Sequence, residues 1–372
     1  MEYRPYGNTG KLVSVLSFGA MRLPQDDEEA VRIMQRGLDL GINLIDTALL
    51  YGPDGRSEKL VGRAVKGRRD KVYLSTKNPL LDDTAAGWRR RLEQSLTNLD
   101  TDYIDFYVLV HDLKWDAWNE KFKNAGQGLE EAIKARDEGL IRHFIFSSHD
   151  TPENVHKLID LGIFEGLILQ YNLLDRSYED CIAHAHEVGM GVQVMGPVAG
   201  GRLGVRSAKM ERFLEGIGST AELALRFVIS NPHVTTAMSG MSTMQQVEEN
   251  CAVANNKGPL SPQEREAVLR LYEENRKLAE LYCTGCGYCM PCPQGVGIPL
   301  IFAAMIQHKV WEATDAAKAR YRHILEGKAR WQDQEVKAAD ACVECGECEP
   351  KCPQKIPIIQ QLKETHAALA GE

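Results

Sequence analysis

Eight short apolar runs alternate with eight amphipathic stretches across the first 255 residues, and few folds accept that rhythm. The runs, expected as strands, are Val13–Phe18, Asn43–Thr47, Val72–Thr76, Tyr103–Val110, Arg142–Ser147, Gly166–Tyr171, Gly191–Met195 and Val234–Ser239. The stretches expected as helices are Glu28–Leu40, Ser57–Val65, Thr84–Leu99, Leu129–Glu138, Pro152–Leu161, Tyr178–Val188, Thr220–Ile229 and Thr243–Ala254. Several of them end at a glycine, as at Gly41, Gly139, Gly162 and Gly189, where a left-handed C-cap is wanted. Eight βα repeats over about 250 residues have the size of a (β/α)8 barrel. An open doubly wound sheet would carry a G-x-G-x-x-G turn after its first strand, and none is present. The expected fold class is therefore α/β, a (β/α)8 barrel over residues 1–260, followed by a mostly helical domain over 261–372.

In such a barrel the chemistry belongs at the C-terminal ends of the strands. Asp46 follows the second expected strand, Lys77 the third and His111 the fourth, and Tyr51 lies in the loop that Asp46 leads into. Singly, each has a dull explanation: a helix cap, a solvated lysine, a packed imidazole. Together at equivalent barrel positions they make a carbonyl-reducing set. Hydride addition to a carbonyl leaves an alkoxide that must be protonated as it forms. Tyrosine, with an ordinary pKa of about 10, is a weak acid for that task, and a cation beside its hydroxyl would lower the value. Lys77 is expected to supply the cation, Asp46 to orient Lys77, and His111 to donate to the carbonyl oxygen.

The C-terminal third carries eight cysteines in two runs: Cys283, Cys286, Cys289, Cys292-Pro293 and Cys342, Cys345, Cys348, Cys352-Pro353. The second has the C-x2-C-x2-C-x3-C-P spacing of a [4Fe–4S] cluster, and the first is one residue shorter before its last cysteine. Structural zinc usually takes paired C-x2-C knuckles across a spacer, and disulfides need an oxidising compartment. Cys181 and Cys251 sit alone in helical patterns and read as packed thiols.

The barrel motifs resemble the aldo-keto reductase superfamily. They are Leu44-Ile45-Asp46-Thr47-Ala48-x-x-Tyr51-Gly52, Ser75-Thr76-Lys77 and Asp105-x-Tyr107-x-Leu109-x-His111. The opening Tyr3-Arg4-Pro5-Tyr6-Gly7-Asn8-Thr9-Gly10 resembles the family hairpin that closes the barrel bottom, and the cysteine-rich end matches the subset with ferredoxin-like clusters. The resemblance implies NADP or NAD as cofactor and a small carbonyl or alcohol substrate. Its cofactor contacts would fall on Ser147, Ser148, Gln170, Asn172, Gly196, Pro197, Gly240, Ser242, Gln246, Glu249 and Asn250. Where many members place a basic pair for the 2′-phosphate of NADP, this chain has Gly240 and Gln246, which leaves NADH and NADPH both open. In two-cluster ferredoxins the fourth cysteine of each run serves the other cluster. The sets would be Cys283, Cys286, Cys289 with Cys352, and Cys342, Cys345, Cys348 with Cys292, although the short first run could close differently.

A net charge of −8 argues against a general nucleic-acid binder, and the start MEYRPYGNTGK lacks a signal-peptide layout, so a cytoplasmic protein without a membrane span is expected. Trp115 and Trp118, in the long loop after the fourth strand, fit either a substrate pocket or rim packing. Ser261-Pro262 opens a charged helix expected to run to about Leu281. The 49 residues from Pro293 to Ala341 read as a helical insertion, with Trp311 and Trp331 as candidate anchors. A hydride carries two electrons and a cluster passes one, so a direct exchange lacks an intermediate. A flavin could split the pair, but no flavin signature is present. The clusters would be staples, a relay to a ferredoxin-like partner, or the working part of an electron-transfer protein whose barrel only binds a flavin or partner.

Overall fold

The computed structural model describes residues 1–79, 84–173, 175–204, 218–257, 260–276, 283, 285–309, 314–331 and 334–371. Two compact units make up the chain: Met1–Pro197 with Glu222–Leu260, and Val198–Ala221 with Ser261–Glu372.

In the first unit, β1 (Tyr3–Pro5) and β2 (Leu12–Ser14) form an antiparallel hairpin. A closed parallel barrel follows: β3 (Leu16–Gly19), β4 (Leu44–Asp46), β5 (Tyr73–Lys77), β6 (Ile104–Val108), β7 (Ile141–Ser147), β8 (Gly166–Gln170), β9 (Gly191–Met195) and β10 (Thr236–Ser239). Closure is made by β10 against β3, with Ala237 opposite Leu16 and Ser239 opposite Phe18. The first expected strand is broken in two. Ser14 Oγ donates to Leu16 O (2.7 Å) and accepts from Asn43 N (3.1 Å), so the chain turns between the hairpin and the barrel. Four helices start on side-chain caps, Asp26, Thr84, Thr151 and Thr243, each accepting from an amide of the first turn.

The hairpin closes the barrel bottom by inserting Tyr6, which is fully buried, stacks on Phe106 (centroids 4.1 Å) and accepts from Gln193 Nε2 at 2.8 Å. Room for it comes from two glycines. A Cβ on Gly191 would lie 2.2 Å from Tyr6 Cδ1, and one on Gly166 would lie 2.4 Å from Tyr6 Oη. Arg4 donates to Ile229 O, at the C-terminal end of the helix Thr220–Ile229, and to Val234 O in the connection to β10, both at 2.7 Å. In the loop after β6, Trp118 and Phe122 are buried against one another, and Trp118 also meets Phe164. Trp118 is therefore core. Trp115 is partly covered, with the Lys157 ammonium 5.5 Å from its ring centre.

The second unit begins on a capping box: Glu264 N donates to Ser261 Oγ (3.2 Å) while Ser261 N donates to Glu264 Oε2 (2.6 Å). The helix is described over Pro262–Arg276; its expected end near Leu281, and Trp311, lie outside the described residues. Helices Ile298–Lys309, Thr314–Leu325 and Ile358–Leu369 share a core of Ile298, Ile301, Phe302, Met305, Tyr321 and Leu362, with Cys283, Cys289, Cys292, Cys342, Cys348 and Cys352 packed on its edge. The insertion between the cysteine runs thus supplies most of this core, and the helix Ile358–Leu369 after the second run completes it. Among the described residues no helix is long and apolar enough to cross a membrane.

Candidate active site

The register of three neighbouring strands gathers the polar set. Asp46 at the end of β4 lies opposite Ser75 of β5, and Lys77 lies opposite Val108 of β6. Lys77 Nζ donates to Asp46 Oδ1 (2.7 Å), Asp46 Oδ2 (2.6 Å) and Thr47 O (2.7 Å), and Ser75 Oγ donates to Asp46 Oδ1 (2.8 Å). Both ends of this ion pair are buried. Tyr51 is positioned by a turn in which its N donates to Ala48 O (3.0 Å) and its O accepts from Ser57 N (3.1 Å). Its ring lies with the Lys77 ammonium 5.0 Å from its centre and His111 edge-on, centroids 6.1 Å apart at 80°. The His111 amide donates to Asn78 O (2.8 Å), which ties the imidazole's backbone to the residue after Lys77.

The electrostatics differ from the expectation in one respect. All three Lys77 donors are spent on Asp46 and Thr47, so the cation faces the Tyr51 ring and its field is largely offset by Asp46. Burial, and then the Asp46 charge, hold the Tyr51 hydroxyl well above the ordinary tyrosine range. Burial lowers the Lys77 pKa, and Asp46 opposes that loss. His111 is pushed down to about 4 by burial and by the Lys77 charge, so it is a neutral imidazole near pH 7.

A layer behind these residues carried no signal in the sequence pattern. Glu58 is fully buried and accepts from Thr76 Oγ1 (2.7 Å) and Asn98 Nδ2 (2.9 Å). Asn78 donates to Trp88 O (2.9 Å) and Tyr107 Oη (3.0 Å) and accepts from Arg91 Nε (2.8 Å). The flanks of Lys77 are therefore both anchored. A buried glutamate in an amphipathic helix and an asparagine beside a strand-end lysine were the only marks available.

The expected cofactor residues fall into three groups. Ser147 Oγ accepts from Asp112 N (3.0 Å), and Ser148 Oγ donates to Leu113 O (2.7 Å), so both hold the loop after β6, where Asp112 is left-handed at φ +56°. Gln170 Nε2 donates to Asp175 Oδ2 (2.7 Å) and Asn172 Nδ2 to Gly196 O (3.0 Å), which brings these three residues together at the ends of β8 and β9, with Pro197 next in the chain. Ser242, Gln246, Glu249 and Asn250 gather around the start of the helix Met244–Asn256. Ser242 N donates to Gln246 Oε1 (2.7 Å), Glu249 Oε1 accepts from Gln245 Nε2 (2.7 Å), and Asn250 Nδ2 donates to Ser239 Oγ (3.2 Å). Gly240 leaves its backbone open, since a Cβ there would meet nothing closer than Gly19 O at 3.8 Å.

In the second unit the cysteines line two cavities. One, of about 320 Å³ with open solvent included, is lined by Cys283, Cys286, Cys289 and Cys352 among apolar side chains. The other, of about 390 Å³ on the same measure, is lined by Cys292, Cys342, Cys345 and Cys348, with Cys289 at its margin. Burial pushes the Cys289 thiol up to about 12, and Cys283, Cys286 and Cys352 add to the shift. Cys348 is pushed up to about 11 by burial, with Glu349, Cys292 and Cys342 contributing. Cys352 is raised by burial as well, and a positive centre placed beside Cys289, Cys348 and Cys352 would oppose these shifts, which suits iron.

A closed eight-stranded parallel barrel with this lysine–aspartate–tyrosine–histidine group at its strand ends, joined to a unit with two cysteine-lined cavities, defines a redox enzyme of fused design. Residues 15–273 match the Aldo/keto reductase family and residues 282–357 match the 4Fe-4S dicluster domain. The chain belongs to the aldo/keto reductase family and carries a C-terminal 4Fe-4S dicluster domain, which implies two clusters. It is similar to the uncharacterized oxidoreductase YrpG of Bacillus subtilis, 31% identical over 300 residues that cover 67% of this chain and 90% of the relative. Oxidoreductase YqkF of the same organism is 29% identical over 289 residues, covering 68% and 92%. Among solved structures, the holo form of aldo-keto reductase AKR11C1 from Bacillus halodurans superposes with a TM-score of 0.64 at 31% identity, covering 74% of this chain and 99% of that one. An aldo/keto reductase from Klebsiella pneumoniae in complex with NADP and acetate gives 0.62 at 26% identity, covering 73% and 96%.

Proposed function

We propose that the barrel, taken as residues 1–260, interconverts a small carbonyl compound and its alcohol with a nicotinamide cofactor, and that Tyr51 is the proton donor. The observation that carries this reading is the buried Lys77–Asp46 pair set against the Tyr51 ring with a neutral His111 edge-on. When bound, NAD(P)H would supply hydride to the carbonyl carbon. Tyr51 Oη then gives its proton to the oxygen, and the C=O π bond becomes the O–H bond. The raised pKa keeps the proton on Tyr51 in the resting site and makes it a weaker acid, so the proton moves only as the alkoxide, a stronger base than a phenolate, develops its charge. The phenolate left behind faces the Lys77 cation. His111, neutral at working pH, donates to the carbonyl oxygen and holds it for attack.

Gln170 and Asn172 would hold the nicotinamide, the backbone at Gly196 and Pro197 would approach the pyrophosphate, and the open backbone at Gly240 with the Ser242–Asn250 corner would hold the adenosine end. Gln246 is not basic, so NADH is expected to serve as well as NADPH. The eight cysteines would hold two [4Fe–4S] clusters in the crossed sets, Cys283, Cys286, Cys289 with Cys352 and Cys342, Cys345, Cys348 with Cys292. The two cavities support that division. A ferredoxin-like protein is the fitting partner for one-electron exchange.

The deciding experiment is Tyr51→Phe. Loss of carbonyl reduction with nicotinamide binding intact is the expected result, and unchanged turnover would overturn the role of Tyr51. Anaerobic NADH and NADPH titrations read by cluster absorbance and EPR then show whether the two chemistries communicate.

A further inference from the structure

The two cysteine loops are built on the same turn and finished differently. In each, the residue after the middle cysteine is a left-handed glycine: Gly287 after Cys286, φ +83°, and Gly346 after Cys345, φ +78°. A Cβ on Gly346 would meet nothing within 4 Å. One on Gly287 would lie 2.9 Å from Cζ2 of Trp331. That tryptophan belongs to the short hairpin β11 (Arg330–Trp331) and β12 (Gln334–Glu335), which sits in the insertion between the cysteine runs. The surroundings follow the same division. Both cavities have apolar walls, Phe302, Ile298, Ile356 and Ile358 in the first and Val296, Ile298, Ile359 and Leu362 in the second, but only the second also has charged side chains, Glu347 and Lys351, in its wall. Val343, between the first two cysteines of the second loop, is 61% exposed, and Cys345 is itself exposed.

We propose that the clusters form a shielded and an open pair: Trp331 and its hairpin cover the cluster of Cys283, Cys286, Cys289 and Cys352, and single electrons cross the protein surface at the cluster of Cys292, Cys342, Cys345 and Cys348. The inference rests on the two-cluster reading and is independent of the reaction assigned to the barrel. In each exchange an external one-electron carrier loses one electron and the cluster core passes from the 2+ to the 1+ level, with no bond made or broken. A core held by four thiolates thereby goes from a total charge of 2− to 3−. Apolar cover penalises the more highly charged form, so the shielded cluster has the lower reduction potential and the slower contact with solutes. The hairpin, with no counterpart around the second loop's glycine among the described residues, is the element that separates the two.

The test uses the full chain with both clusters in place, established by about eight irons per chain. EDTA with ferricyanide is added anaerobically and the visible cluster absorbance is followed. The expected course is two phases of equal amplitude with rates about tenfold or more apart, since attack follows exposure. Trp331→Ala should bring the slow phase to the fast rate and move the lower EPR midpoint potential toward the upper. Val343→Trp, at a site exposed enough to accept it, should slow the fast phase and leave the slow one unchanged, and it decides the matter alone if Trp331→Ala fails to retain iron. A single phase in the unaltered chain would overturn the proposal. So would a slow phase indifferent to Trp331→Ala together with a fast phase indifferent to Val343→Trp, or an iron content for one cluster only.

Discussion

At the scale of single residues, the pair of opposite charges inside the barrel mouth governs what a substitution does. Asp46→Leu leaves the Lys77 ammonium buried without its counter-charge, and Lys77→Met strands the carboxylate. Each should cost about 3–5 kcal/mol, while the double replacement Asp46→Leu with Lys77→Met should lie closer to the unaltered protein than either single change. Urea denaturation of the four proteins tests this; additive losses would show that the two groups do not act as a pair. His111 adds a pH dependence with a definite sign. Its folded pKa near 4 lies below the unfolded value of 6.5, so the unfolded chain binds more protons between them. Stability from this residue is full above pH 6.5 and falls as pH drops toward 4, by at most about 3 kcal/mol. His111→Phe should flatten that part of the stability–pH curve, read from thermal midpoints across the window. Asp46, Lys77 and His111 were legible as strand-end residues, and Tyr51 as a residue of the loop that Asp46 leads into. Glu58 was not, because a buried carboxyl is recognised only once its partners Thr76 and Asn98, 18 and 40 residues away, have been brought to it.

Elements set the next level. The barrel bottom depends on one side chain filling space that two strands leave empty, so Gly191→Ala places a methyl within Tyr6 and should cost about 3 kcal/mol by overpacking. A shift of the urea midpoint at unchanged slope is the readout. The start of the helix Met244–Asn256 makes a second case. Gln246 there accepts from Ser242 N, and in the proposed cofactor placement it is the non-basic residue at the adenosine end. Gln246→Arg should raise the preference for NADPH over NADH by about tenfold, the worth of one charge-assisted hydrogen bond, measured as the ratio of dissociation constants. Helix C-terminal ends were readable because their glycines are local: Gly41, Gly139, Gly162 and Gly189 all have positive φ. The break in the first strand was not, because it depends on Asn43 meeting Ser14 across 29 positions.

At the scale of the molecule, the second unit has its own apolar core, with cysteines along the edge of that core. Removal of iron should therefore loosen this unit first, seen in calorimetry as a lowered or lost transition while the barrel's own transition persists. The sequence by itself determined the eightfold alternation, the glycines that end several helices, the strand-end placing of Asp46, Lys77 and His111, and the grouping of eight cysteines into two runs. All of these are periodicities or short spacings, written within a few turns of chain. Only the tertiary structure decided that the three Lys77 donors are spent before reaching the Tyr51 hydroxyl, that Ser147 and Ser148 hold a loop, and that Trp331 covers one cysteine loop and leaves its counterpart open. Each of those outcomes depends on which distant side chain arrives first at a limited number of donors or a limited space. Competition of that kind is settled by packing, and no local pattern records it.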